Sequence, residues 1–395
     1  MEITFNMYIT LAVAVIVLMA GKAVKGKVSF LRRFCIPESV VGGLLFSLVT
    51  LILHLTGLVT ITFDSTLSDL FRVIFFTTVG FMANFKTIRE GGKTLILFLV
   101  SLAILIVCQN LIAVGIASLI GISPLAGLCT GSIPMVGGHG TAGAFGPLLE
   151  SMGISGATTL ATAAATFGLI AGSLMGGPLA EGLIKKYDLK PGEDDRKFAS
   201  EKSSGHQKEE FKNISVALAE VFIAAGVGNV LYQLISKTGI TFPDYMGAML
   251  VGAIIRNYAE ISGKFDVHMY ELGVIGEYTL RLFIAIAMIS LKLWQLAELA
   301  LPMVLLLTGQ TVFMYLFARF FLFRFLGGNY DSAVIVSGAC GFGMGATPNA
   351  MANINAVCDR HGVSRKAFFL VPIVGSLFTD FMNTFLITVF INIFS

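Results

Sequence analysis

Apolar runs of about 20 residues recur from one end of the chain to the other, separated by short polar stretches. Each run is long enough to cross a bilayer as a helix. In the first half the pattern predicts spans at 7–24, 37–56, 67–85, 94–120 and 155–184. In the second half it predicts spans at 213–235, 243–259, 273–294, 300–323 and 367–394. A transmembrane barrel would read as short segments of alternating hydrophobicity instead. The fold class expected is therefore an all-α polytopic membrane protein.

Two kinds of segment depart from this pattern. Residues 185–212 hold eight basic and seven acidic side chains, and they read as a water-exposed linker between 1–184 and 213–395. The second kind is rich in glycine and free of charge. GSIPMVGGHGTAGAFGP, at 131–147, has six glycines, two prolines and a histidine. Its part SIPMVGGHGTAG corresponds to SGACGFGMGATPNA at 337–350.

That correspondence belongs to a longer one. PESVVGGLLF at 37–46 matches PDYMGAMLVG at 243–252, an offset of 206. Arg72 in LFRVI and Arg281 in LRLFI lie 209 apart, as do Gly153 and Gly362, and Gln109–Asn110 stands opposite Gln310–Thr311. The chain is expected to be an internal repeat. Five spans per half force the second copy into the membrane upside down. The glycine segments, about 122–153 and 332–362, fall between the fourth and fifth spans and must begin and end on one face. Each is expected to be a re-entrant hairpin, since irregular backbone at membrane depth survives only against protein or a water-filled cavity. Lys22, Lys25, Lys27, Arg32 and Arg33 follow the first span, and Lys86, Arg89 and Lys93 follow the third. Arg324, Arg360, Arg365 and Lys366 lie in the corresponding loops of the second half. This bias places the linker in the cytoplasm and both termini outside.

Composition agrees. The chain is 55% hydrophobic and 13% charged, about half the charge of a soluble domain, with a mean hydropathy of +0.84. The net charge of +3 adds little. The first span, with no small-residue cleavage site after it, reads as retained rather than as a removed signal. Five scattered cysteines without a CxxC pair argue against a disulfide framework and structural zinc. No P-loop, GxSxG or HExxH occurs, so no enzyme is expected and an ion gradient is the expected energy source.

The chemistry concentrates at the hairpin tips. Glycine lets backbone approach a ligand closely. Helix N-termini after the tips favour an anion, and carbonyls freed before them suit a small cation. The pattern points to a cation-coupled carrier of a carboxylate. Substrate candidates are Ser132, Gly137, Gly138, His139, Gly140 and Thr141 on the first tip, and Gly343, Gly345, Thr347, Pro348 and Asn349 on the second. Ion candidates are Gly341, Met344 and Ala346, with Asp380 and Asn383 serving either ligand. Asp380 is a mid-span carboxylate opposite Gly177 of the first half, and Asn383 is on its helix face. It is expected to bind a substrate ammonium or a sodium ion. His139 either donates to substrate or holds the tip in shape. Arg72 and Arg281 either snorkel to headgroups or pair with a carboxylate, and Arg281 is kept as a substrate candidate. Gln109 and Gln310 are expected to tie unwound backbone, Glu150 to cap a helix or lie solvated, and Trp294 to anchor at the interface.

VGGHGTAGAF, GACGFGMGATPNAMANI and LKLWQLAELALPM at 291–303 resemble the bacterial sodium/glutamate symporter family from the first span to the last. The resemblance implies a homodimer, two inverted five-span repeats, sodium-driven glutamate uptake and an elevator mode of alternating access. Na+ would be the coupling ion, with no other cofactor. The alternatives are a symporter of another dicarboxylate or carboxylate anion, proton coupling, and a re-entrant-loop channel.

Overall fold

The computed structural model describes residues 2–86, 92–192, 213–238, 241, 243–296 and 300–395. Residues 193–212, most of the expected linker, lie outside that set.

The first half runs α1 (Met7–Lys27), α2 (Ser29–Arg33), α3 (Glu38–Leu55), α4 (Thr66–Met82) and α5 (Gly92–Leu119). Three pieces then occupy the glycine segment: α6 (Pro124–Leu128), α7 (Ser132–Met135) and α8 (Gly138–Ser151). The half closes with α9 (Ala157–Tyr187). The second half runs α10 (Ile214–Ser236), α11 (Met246–Ser262), α12 (Met269–Ile289) and α13 (Ala300–Leu316). α14 (Tyr330–Gly343) and α15 (Thr347–His361) follow, then α16 (Arg365–Ile373) and α17 (Thr379–Phe394). One feature lies outside the all-α expectation. β1 (Glu2–Phe5) pairs in parallel with β2 (Thr60–Phe63), a short ribbon tying the N-terminus to the α3–α4 loop.

Among the described residues seven helices are long and apolar enough to cross a membrane, and the bent α16–α17 pair makes eight. α4 and α11, at 17 residues each, are the short ones among the ten expected spans, since α13 runs on through a π-helical turn at Phe317–Leu322 to Phe325. At 1.5 Å per residue they reach about 26 Å, just under a hydrocarbon core of about 30 Å.

Helix breaks follow local chemistry. Pro372 lacks the N–H of a helix interior, and a π-helical turn at Val374–Phe378 follows it. The helix bends by 44° there, and Asp380 enters the first turn of α17. α9 begins where the Glu150 carboxylate accepts the Thr158 N–H at 3.0 Å. Glu150 therefore caps a helix, an anion at an N-terminus.

Packing sorts the helices into two groups. α1, α3, α4, α10, α11 and α12 pack chiefly on one another, as do α5–α9 with α13–α17. Within the first group small residues set the spacing. A methyl group on Gly80 of α4 would come 2.0 Å from the Met249 carbonyl oxygen of α11. One on Gly43 of α3 would come 2.2 Å from Met288 Cβ of α12. Close backbone approach through small residues is how helices associate where lipid removes a hydrophobic drive. The groups meet where α8 lies along α12, with Gly143 facing the Phe283 ring.

Candidate functional site

The two glycine motifs come together. The turn before α8 and the turn before α15 line one cavity of about 210 Å³, at the small end for a ligand site. Gly137, Gly138, His139, Gly140 and Thr141 face it from the first motif. Gly345, Ala346, Thr347 and Pro348 face it from the second, and Asp380 from α17. A methyl group on Gly138 would stand 2.9 Å from the Gly345 carbonyl oxygen, so the turns touch. Pro37, Phe75, Leu280 and Ile284 of the other helix group complete the wall. They are ordinary apolar residues in predicted spans, and no local signal marks them.

α8 and α15 begin at this cavity, and their first backbone N–H groups have no partner within the helix. Both dipoles place positive potential where the turns meet. Asp380 supplies the formal negative charge, and among the described residues no lysine or arginine pairs with it.

Asn349, Asn383, Gly341, Gly343 and Met344 are buried behind the lining rather than on it, and Thr347 and His139, which are on it, also bond to neighbouring segments. Asn349 is fully buried and donates to the Leu169 carbonyl at 2.9 Å and to Ser173 Oγ at 2.7 Å. Thr347 donates to the Gly375 carbonyl at 2.9 Å. Asn383 donates to the Ser132 carbonyl at 3.0 Å, joining α17 to the first motif. His139 Nε2 lies 3.0 Å from Thr166 Oγ1 of α9, a contact that holds the tip in shape. At the second turn, the Gly343 carbonyl accepts the Gln109 amide at 2.8 Å. The Gly341 carbonyl accepts the Ala346 N–H at 3.1 Å, and the Met344 carbonyl packs on Gly168. Gln310 donates to the Gln109 carbonyl at 2.8 Å, so both glutamines tie backbone as their positions imply.

Both arginines pair with carboxylates of the protein itself, and neither lines the small cavity. Arg72, only 9% exposed, neither snorkels nor faces the cavity. It pairs with Asp69 at 3.0 Å and with Asp244 of the other half at 2.8 Å. Burial without a partner would be prohibitive for a guanidinium, and two carboxylates answer it. Arg281 pairs with Glu277 on its own helix and stands 3.9 Å from Glu38; it is not on the cavity wall. Trp294 stacks on His54 with ring centroids 3.9 Å apart, a contact that adds to the expected anchoring. A second cavity, of about 470 Å³, is bordered by Arg72, Asp244, Glu150 and Lys292.

Membrane-length helices around a small buried cavity, with helix N-termini and one carboxylate converging on it, define a membrane transport protein. Comparison with known sequences narrows the class. The family profile described as sodium/glutamate symporter matches residues 3–363. The sodium/glutamate symporter of Escherichia coli (strain K12) is 41% identical over 386 residues, covering 97% of this chain and 96% of that protein. That of Haemophilus influenzae is 38% identical over 397 residues, covering 98% of each. The chain belongs to the sodium/glutamate symporter family, a transporter family and not an enzyme class.

Proposed function

We propose that this chain carries glutamate into the cell with sodium, and that the substrate sits in the cavity between the two glycine turns. The observation that carries the assignment is Asp380: a carboxylate facing that cavity with no cation from the described residues against it. A buried charge needs a partner, and an amino acid brings an ammonium. Its carboxylates are then met by the N-termini of α8 and α15. Thr141 and Thr347 supply neutral hydrogen-bonding groups nearby, while Arg281 and Asn349 are left out of direct contact.

The same proposal includes ten spans as two inverted repeats with re-entrant hairpins, a cytoplasmic linker and external termini. Crossed contacts support it. Asp244 is the repeat mate of Glu38 and Arg281 that of Arg72, and the observed pairs are Arg72–Asp244 and Arg281–Glu38. A twofold axis maps one pair onto the other. Gly80 with Met249 and Met288 with Gly43 are crossed in the same way, at offsets of 208 and 206. The motions follow the packing: α5–α9 and α13–α17 form the moving core, and the other helices form the scaffold and the contact between two copies.

The test is uptake of labelled glutamate into proteoliposomes carrying the purified protein. An inward sodium gradient is expected to drive uphill accumulation, and Asp380→Asn to raise the glutamate KM about tenfold or more. Accumulation without sodium, or an unchanged KM in the variant, overturns the assignment.

A further inference from the structure

Two buried oxygens beside the first glycine turn, one on the motif and one on α17, are without partners among the described residues, as are Ser337 Oγ and Asn349 Oδ1 of the second motif. Ser132 and Asn383 are fully buried, and both Ser132 Oγ and Asn383 Oδ1 lack any hydrogen bond. They are neighbours, because Asn383 Nδ2 donates to the Ser132 carbonyl at 3.0 Å. The amide oxygen rides on the same planar group, so it is held close to Ser132 as well. Ser132 is fixed from the other side, its N–H donating to Asn110 Oδ1 at 2.9 Å. The Gly137 backbone closes the group. A methyl group there would lie 2.8 Å from Asn383 Nδ2 and 2.2 Å from Thr141 Oγ1.

We propose that Ser132 Oγ and Asn383 Oδ1 are ligands of a sodium ion seated behind the substrate cavity, between the first glycine turn and α17. The inference rests on the reading of the cavity in front as the glutamate site. Buried polar atoms in folded proteins are nearly always partnered, and although Asn110 Nδ2 nearby is an unpartnered donor, the hydroxyl and amide oxygens of Ser132 and Asn383 can both turn lone pairs to a positive partner. A hydroxyl and an amide oxygen are hard, neutral ligands of the type that binds sodium. Ser132 and Asn383 are fully buried behind the lining, whereas Thr141 and Asp380 are on it, within reach of a ligand in the cavity. The second motif also holds two unpartnered oxygens, Ser337 Oγ and Asn349 Oδ1, but no hydrogen bond among the described residues joins those two side chains as Asn383 is joined to Ser132, and its Gly341 and Gly343 carbonyls already accept protein N–H groups.

The position explains coupling. An ion there draws α17 onto the Gly131–Gly137 turn and sets the backbone of Gly137 through Thr141, which is one wall of the substrate cavity. Asp380 precedes Asn383 by three residues on the same helix face, so the ion also places a positive charge near that carboxylate. Sodium thus prepares the site before glutamate arrives.

The experiment uses the full-length purified protein with sodium chloride against choline chloride at equal ionic strength, without glutamate. Sodium is expected to raise the thermal midpoint of the wild type. Ser132→Ala and Asn383→Ala are expected to need at least about tenfold more sodium for the same rise. Asn383→Asp keeps the shape and an oxygen ligand, and it is expected to restore the response if Asn383→Ala folds poorly. In proteoliposomes the half-saturating sodium for uptake shifts by the same factor in Ser132→Ala, and the glutamate KM at saturating sodium stays within about threefold. An unchanged sodium requirement in Ser132→Ala overturns the proposal, because the oxygens then hold only water. A raised glutamate KM with unchanged sodium dependence overturns it in favour of direct substrate contact. An unaltered KM in Asp380→Asn sinks the cavity assignment alone and leaves the sodium result standing.

Discussion

Gly138 is the residue at which the two turns touch, and replacing it by alanine tests whether that contact shapes the substrate site. Gly138 has φ +59°, in the left-handed region. An alanine there costs about 1–2 kcal/mol. Its methyl group would also lie 2.9 Å from the Gly345 carbonyl oxygen, a backbone atom that yields only if the turns part. Strain alone is worth a factor of about 5–30 in any equilibrium that requires the closed turn. Gly57, between α3 and β2, is the control. Its φ is +69° and nothing lies within 4 Å of the added methyl, so Gly57→Ala carries the strain without the clash and away from the cavity. Thermal midpoints of the purified variants and glutamate KM in sodium-loaded uptake assays are the two measurements. Both variants are expected to lose stability to a similar degree, and only Gly138→Ala to raise KM, by about fivefold or more. If Gly138→Ala keeps the wild-type KM, the junction of the turns has no part in binding.

Gln109→Leu removes the donor to the Gly343 carbonyl and leaves a buried acceptor unpaired, an expected loss of about 1–3 kcal/mol, read as a lower thermal midpoint with slower uptake. Glu150→Ala uncaps α9 and is expected to lower stability by about 0.5–2 kcal/mol in a denaturation series, with little change in KM. Cysteines at Gly140 and Leu280, where a methyl group on Gly140 would meet Leu280 Cδ1 at 3.3 Å, join the proposed core to the proposed scaffold. Bridging them with a short thiol cross-linker is expected to stop uptake while sodium still shifts the thermal midpoint; continued uptake would show that the two groups need not slide.

Much of this architecture can be read from the chain, for a physical reason. Lipid demands long apolar helices, so Met7–Lys27 and Ala157–Tyr187 differ from the expected 7–24 and 155–184 by a few residues at their ends. The glycine motifs stand out because proline and threonine recur amid glycines at two matching places. What escaped is long-range and polar. The pairing of Arg72 with Asp244 spans 172 residues and leaves no trace in local periodicity. Ser132 is a substrate candidate by its place in the first motif, and only packing reveals its contact with Asn383. Trp294 has the position of an interfacial anchor, and its stacking on His54 depends on the fold of a different helix. The ribbon of β1 with β2 is equally non-local, joining segments 58 residues apart.

The crossed ion pairs allow a last prediction about how burial divides two equivalent contacts. Each arginine has an acid on its own helix, Asp69 three residues before Arg72 and Glu277 four before Arg281. Each also has one from the other half, Asp244 or Glu38. Chemistry is therefore matched, and surroundings are not. The Arg72 side chain is 11% exposed and meets Asp244 at 2.8 Å, whereas that of Arg281 is 51% exposed and stands 3.9 Å from Glu38. A half-exposed pair contributes about 0–1 kcal/mol. Losing one partner of a fully buried pair costs about 3–5 kcal/mol. Because Asp244 is itself 41% exposed, the Arg72 pair belongs between these limits, at about 1–2 kcal/mol. Double-mutant cycles with Arg72→Ala and Asp244→Ala, and with Arg281→Ala and Glu38→Ala, measure both couplings by thermal unfolding of the purified protein. A larger coupling for the first cycle is expected, and it should persist at 1 M salt, where screening (about 3 Å) removes exposed pairs first. Equal couplings in the two cycles would mean that burial of Arg72 does not set the strength of its pairing, and the account of that arginine as a structural clamp would have to be abandoned.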